Sequence, residues 1–339
     1  RPAVRPAAET AAFETRITAL FGIRHPILAG GLQWLADADW VAAAIDAGLM
    51  GFITAASFPD DAGLVAEIRR CRDLTDGRPF GVNVSMLPKL AAHERVGEIM
   101  KVIVDEGVPF VETSGRSPAE YVPMLKAAGV RIIHKVPAVR YALSAERAGV
   151  DAVAIVGFEC GGHPGTDPVG TFVQAAMAAS ALSVPYCVGG GVGTGSQIAA
   201  ALAMGADGVV IGTRFLVAEE LGAHRDFKEA VVRARETDTV LVMQSVRNTI
   251  RILRNETAAA VAAIEARGEG SLETILPLVS GRIGREAYRT GDTRRGALAM
   301  GHALAFTNEI EPLARIVDRL VAEAAAAVRR LDGLVLPAP

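Results

Sequence analysis

Short runs of β-branched and apolar residues alternate with longer Ala-rich amphipathic stretches along most of this chain. The runs predict strands near 26–32 (PILAGGL), 50–55 (MGFITA), 80–86 (FGVNVSM), 110–115 (FVETSG), 131–136 (RIIHKV), 152–157 (AVAIVG), 184–191 (VPYCVGGG) and 208–215 (GVVIGTRF). Each is apolar without a break rather than at alternate positions, as parallel strands covered on both faces are. The intervening stretches predict helices, among them 40–47, 64–73, 92–106, 119–128 and 197–204. Several close on Ala-Gly or Met-Gly, at Gly48, Gly129, Gly149 and Gly205, the residue type that accepts the left-handed turn ending a helix. Eight strands, each followed by a helix, predict a (β/α)8 TIM barrel, with a doubly wound open sheet as the alternative.

After Phe215 the strand pattern stops, and residues 219–330 read as almost wholly helical, with Gly-rich breaks. The expected organisation is a barrel over 15–218 and an added C-terminal helical segment over 219–330 that covers the barrel mouth and docks on its side. The terminal LVLPAP is expected to be loose. The chain has 339 residues, half of them hydrophobic, which is ample for a large core. No apolar run approaches the roughly 20 residues of a membrane span, and the N-terminal stretch lacks the apolar core of a secretory signal. Net charge is −3 with the basic residues scattered, so nucleic acid is not an expected partner. Cys71, Cys160 and Cys187 are too few and too far apart for a disulfide framework or a structural zinc site, which points to a reducing cytoplasm.

In a barrel of this kind chemistry belongs to the loops after the strand C-termini. Those positions hold Gly30, Gly31, Leu32, Gln33 and Trp34, then Asn83 and Ser85, then His134 and Lys135. They continue with the loop GFECGGHPG around His163, the turn GGGVGTG from Gly189, and Gly212-Thr213-Arg214. The last two follow strands seven and eight, the usual phosphate site of these barrels, where glycines admit a close backbone and Thr213 adds a hydroxyl. A plain strand-to-helix turn is the bland alternative. The dinucleotide fingerprint G-x-G-x-x-G is set aside, because Ile198 stands where close helix packing needs Gly or Ala. His163 lies in a Gly- and Pro-containing loop rather than on an apolar face, which favours a functional role. No metal site is expected, and nothing marks Cys160 as a nucleophile. Lys135 suits an anion or an electron-rich ring, with a salt bridge to a loop carboxylate as its alternative. Arg247, Asn248, Arg251, Arg254 and Asn255 recur at helical spacing, and read best as a solvated or inter-helix basic face.

The runs HPILAGGLQW, RPFGVNVSML, RIIHKVPAVRYALSAERAGVDAVAI, GFECGGHPG, GGGVGTG, MGADGVVIGTRF and SVRNTIRILRN resemble nitronate monooxygenases, formerly called 2-nitropropane dioxygenases, over residues 15–310. The subgroup that includes FMN-dependent bacterial NADH:quinone reductases is similar too. The resemblance implies a barrel with non-covalent FMN, contacted at Gly31, Leu32, Gln33, Ser85, Lys135, Gly161, Gly189, Gly190, Gly191, Gly212 and Thr213, and it makes His163 the active-site histidine. It implies oxidation of alkyl nitronates with oxygen. An NADH:quinone reductase using NADH or NADPH as electron donor, an enoyl-thioester reductase, and a non-catalytic flavin-binding protein are the alternatives. The partner is then a small molecule, with no membrane or nucleic acid, on a monomer or homodimer. Relatives often carry polar residues where this chain has Ala29 and Val156, and Ser or Ala where it has Gly189. These departures bear on the particular reaction and not on FMN binding.

Overall fold

A computed structural model of the protein describes residues 13–86 and 95–334. Among them, eight parallel strands form one sheet: β1 (Ile27–Ala29), β2 (Phe52–Thr54), β3 (Gly81–Met86), β4 (Phe110–Gly115), β5 (Arg131–Val136), β6 (Ala152–Val156), β7 (Tyr186–Gly189) and β8 (Gly208–Ile211). Each strand pairs with its sequence neighbour, and β1 pairs with β8. A bridge between Leu28 and Met50 joins β1 to β2 and closes the barrel. Helices Ala38–Asp46, Asp61–Leu74, Val96–Asp105, Val122–Ala127, Val139–Ala148, Thr171–Ala181 and Gly195–Ala203 follow the first seven strands. The 92–94 part of one expected helix, and all of LVLPAP beyond Leu334, lie outside the described residues.

Local chemistry sets these elements. Asp37 and Asp60 accept hydrogen bonds from Trp40 N–H and Gly63 N–H at the starts of their helices, which satisfies donors that have no partner inside the helix. At the other end Gly149 turns left-handed, with φ 94°, a conformation costly for any residue with a Cβ.

Inside the barrel the register layers the inward side chains. The lower layer carries Phe52 and Phe110, and the helix Arg16–Phe21 plugs that end with Phe21, 6.1 Å from the Phe52 ring and 4.9 Å from the Phe110 ring. Leu28, Met50, Ile133, Ala152, Ala154, Cys187 and Val210 fill the interior with them. Outward residues of the same strands join the larger core beneath the helices.

Two features depart from the expected helical C-terminal segment. Strands β9 (Thr239–Val242) and β10 (Ile250–Leu253) form an antiparallel hairpin. Its runs TVLV and IRIL are apolar and β-branched, and they share a small core of their own with helices Glu256–Ala266 and Leu272–Val279. The basic series at spacing three and four is therefore no helix face: Arg251 is buried on β10, and Asn255 caps Glu256–Ala266. Secondly, the long helix Leu313–Asp332 packs against Gly195–Ala203 and Ala38–Asp46. It takes the ring position that follows β8, so 219–312 is interposed between the last strand and its helix.

Candidate active site

The C-terminal ends of the strands gather polar groups inside the barrel. Asn83 and Glu112 are register partners on β3 and β4, both buried and inward-facing. Asn83 donates to Glu112 Oε2, and Lys135 Nζ on β5 donates to the same oxygen at 3.1 Å. Glu112 is fully buried, whereas the Lys135 side chain is 20% exposed. The lysine's partner is thus a carboxylate on the neighbouring strand rather than on a loop. Two buried acceptors here, Glu112 Oε1 and Thr54 Oγ1, have no hydrogen-bond partner in the protein, and such atoms are costly to leave unmatched. Ser85 and Ser114 stand one layer higher, their hydroxyls 3.3 Å apart.

The remaining candidates ring this floor. Gly31 lies over Asn83, whose amide carbon a Cβ there would meet at 2.7 Å. Leu32 reaches towards Gly212, while Gln33 and Trp34 lie against Gly281 of the helix Gly281–Thr290. The Gly212 backbone is open, since a Cβ would meet only Leu32 Cδ2, at 3.8 Å. Thr213 Oγ1 accepts from Gly301 N–H at 2.9 Å, leaving its own proton to donate elsewhere. Arg214 beside it is buried and donates to Glu311 at 3.0 Å, anchoring the β8 turn from outside.

The β7 turn combines two roles. Gly190 and Gly191 have φ 101° and 75°. A Cβ on Gly190 would strike Thr171 Oγ1 at 2.8 Å and Gly157 O at 3.0 Å, so its smallness serves the loop after β6 rather than the mouth. Gly161 likewise abuts residues Met300 and Gly301. The following helix, Gly195–Ala203, does not offer its N-terminus to an anion. Glu323 accepts from Gly195 N–H at 2.8 Å, Gln197 accepts from Gly193 N–H at 2.8 Å and Thr194 N–H at 3.1 Å, and Gly195 packs on Leu320 O. Gly195 is small so that the C-terminal helix can dock, and Gly193 so that the Phe306 ring can. An anion is left the open turn at Gly212-Thr213 and the turn at Gly191, where a Cβ would meet Glu159 Cβ at 3.2 Å.

His163 projects from the loop after β6 and is exposed at the mouth, though ringed by protein. Desolvation lowers its pKa from the ordinary imidazole value, a hydrogen bond with Asn248 raises it, and the Lys135 charge lowers it. The net direction is down, so the ring is neutral and basic at neutral pH. Cys160 is buried in the same loop, which pushes its thiol up to about 12 and keeps it protonated. At the ends of β6, β7 and β8 the wall carries Val156 and Val210 around Gly189, where a Cβ would meet Val210 O at 2.9 Å and Val156 Cγ1 at 3.5 Å. Ala29 is buried with the outward core, so its loss of a polar group does not bear on the mouth.

A family model for nitronate monooxygenase matches residues 14–323. The chain belongs to the nitronate monooxygenase family. Its members are flavin-dependent oxidoreductases, and this protein is one of them. Among solved structures it is similar to FabK from Thermotoga maritima, with 32% identity and TM-score 0.88 over 95% of this chain and 100% of that one. It is also similar to nitroalkane oxidase from Streptomyces ansochromogenes, with 28% identity and TM-score 0.73 over 94% and 100%. A third relative is (3aS,4S,5R,7aS)-5-hydroxy-7a-methyl-1-oxo-octahydro-1H-indene-4-carboxyl-CoA dehydrogenase of Rhodococcus jostii, 28% identical over 94% of this chain and 97% of that protein. Sequence reasoning passed over Glu112, which the structure places beside Asn83 and Lys135. The signal was present, since a lone carboxylate inside an apolar strand must be matched to be buried.

Proposed function

We propose that the protein binds FMN at the C-terminal face of the barrel and oxidises alkyl nitronates with oxygen, with His163 acting on the substrate. The observation that supports this best is that His163 stands exposed on the loop after β6 while Lys135 on β5 places a cation at the same end of the barrel. Desolvation is the main cause that lowers the imidazole pKa, the Lys135 charge adds to it, and the same charge would attract an anionic nitronate. The residues fit the cofactor: Gly191, Gly212 and Thr213 would hold the phosphate, and Gly31, Leu32, Gln33, Ser85, Lys135, Gly161, Gly189 and Gly190 would border the rest. The unmatched Glu112 Oε1 and Thr54 Oγ1 suit a polar ring edge. When bound, the flavin supplies the electron-transfer chemistry. His163 takes the α-proton of a neutral nitroalkane or orients the nitro group of a nitronate already ionised.

A second reading, redox chemistry on an acyl thioester, is favoured by the identity to the carboxyl-CoA dehydrogenase over nearly both chains and by the apolar wall of Val156 and Val210. NADH or NADPH would serve as electron donor in a reductase. A purely flavin-storing protein has no use for the exposed His163. Among the described residues no helix is long and apolar enough to cross a membrane. We take the protein to be cytoplasmic, a monomer or homodimer acting on a small molecule without nucleic acid, and built of a barrel over 15–218 that the helix Leu313–Asp332 completes, with 219–312 as the added segment. Anaerobic mixing with nitronate, NADH and an acyl-CoA in turn tests the reading by flavin absorbance. Bleaching by nitronate is expected, and bleaching only by NADH or by the thioester overturns it.

A further inference from the structure

Thr54, Asn83 and Glu112 are register partners across β2, β3 and β4. They stand two residues nearer the strand C-termini than Phe52, Gly81 and Phe110, so their side chains point into the barrel as the two phenylalanine rings do. The row continues through Ile133 and Ala152 on β5 and β6, which are apolar. A carboxylate therefore sits in a row that is otherwise uncharged. Its side chain is 0% exposed, and a buried charge is costly unless it is paired and hydrogen-bonded. The pairing comes from Lys135, two residues beyond Ile133 on the neighbouring strand.

Two donors share one oxygen. Asn83 and Lys135 both donate to Glu112 Oε2, the lysine at 3.1 Å, and Oε1 has no partner in the protein. Lys135 belongs to the next row towards the mouth, where Ser114 is its register partner and Ser85 that of Ser114. Its side chain is 20% exposed. A lysine stem with nothing to hold it carries its ammonium out to water. This one is turned inward onto the carboxylate, and one of its three N–H donors is used there. Glu112 thus keeps the ammonium inside the barrel and offsets its charge from beneath.

We propose that Glu112 is a positioning residue that acts through Lys135: it supplies the counter-charge that limits how strongly this cation favours reduced FMN. The inference rests on FMN binding at this face, as proposed above. Two-electron reduction makes the flavin ring richer in electrons, so a nearby cation stabilises the reduced form and a carboxylate behind that cation opposes it. Partly buried charges are screened far less than exposed ones, so the balance between the two reaches the ring. Glu112→Gln keeps a carbonyl oxygen for both donors and removes the charge.

The test measures the midpoint potential of FMN bound to the parent, Glu112→Gln, Lys135→Met and the double variant, with the Tm of each apoprotein beside it. Glu112→Gln should raise the potential, increasing the preference for reduced over oxidised flavin about tenfold, which is about 30 mV for a two-electron couple. Lys135→Met should lower it, and the double variant should return close to the parent. Because the double variant removes both charges, it also carries the test where Glu112→Gln does not fold. A purely structural ion pair would lower Tm in the single variants and leave every potential where it was, and that result overturns the proposal. So does a fall in Glu112→Gln, or a double variant that matches Lys135→Met. A parent chain that takes up no FMN overturns the cofactor reading itself, whereas bound FMN with an unmoved Glu112→Gln potential overturns this inference alone.

Discussion

The two ends of the barrel are built from the same strands and share almost no chemistry. At the lower end Phe21, Phe52 and Phe110 close the interior, Gly81 leaves room for the Phe52 ring, and the plugging helix is tied down by Arg16, bidentate to Asp207 at 2.8 and 2.7 Å. At the upper end Asn83, Glu112 and Lys135 replace the aromatics, and two buried acceptors stay unmatched. Moving up one strand by two residues exchanges a packed floor for a charged one. The difference shows how a barrel separates stability from function: packed rings and the Arg16–Asp207 pair close the lower end, while buried carboxylate, amide and ammonium groups line the upper one.

The sharpest way to break that comparison is His163→Asn. FMN should remain bound with an ordinary spectrum while turnover of a neutral nitroalkane falls by roughly 10²–10⁴-fold. Supplying pre-formed nitronate should restore much of the activity, because its proton is already gone. Equal losses on both substrates exclude the base role, and a loss confined to KM indicates orientation alone.

Next in size is a pair of substitutions on β4 and β5. Phe110→Ala should cost about 3–5 kcal/mol of stability through the cavity it opens while kcat of the surviving enzyme is unchanged. Lys135→Met should cost a similar amount, about 3–5 kcal/mol, by leaving Glu112 buried without its cation, and should also shift the flavin midpoint potential. Denaturant unfolding beside a redox titration reads both. A normal potential in Lys135→Met would return that residue to a structural salt bridge.

A finer division concerns two glycines. Gly212→Val places methyl groups in the open mouth beside Leu32, so the folded protein should lose its yellow colour. Gly190→Val strikes Thr171 and Gly157 from a left-handed backbone, so it should lower Tm first and lose flavin only as the loop distorts. Full flavin retention in folded Gly212→Val would move the phosphate elsewhere.

The smallest effect is on stability in acid. His25 and His134 are buried, and burial lowers each to about 4, with Arg24 and Lys135 adding to the effect. Their folded pKa values lie below the ordinary 6.5, so the unfolded chain takes up protons first as pH falls. The stabilisation they provide is complete above 6.5 and is lost between there and about 4. Tm followed across that window should slope less in His134→Gln than in the parent, and an identical slope would assign the acid sensitivity to other groups.

What the sequence determined by itself is whatever local pattern encodes. Continuous apolar runs and Gly-closed helices dictated eight parallel strands in order, and the rule that loops after strand C-termini carry chemistry placed Lys135, His163, Gly212 and Thr213 at one end. The hairpin escaped because TVLV and IRIL are short and the Arg-Asn spacing between them also suits a helix. Ala29 was misjudged because its facing depends on strand register, which single-sequence periodicity leaves open. Tertiary structure alone decided that Glu112 meets Lys135, that Gly195 receives the C-terminal helix and Gly193 the Phe306 ring instead of a phosphate, and that Arg251 of the hairpin pairs with Gly162 of the loop after β6. Each of these joins residues distant in the chain, and contacts of that kind are fixed by closure of the barrel and packing against it, not by the propensity of any one segment.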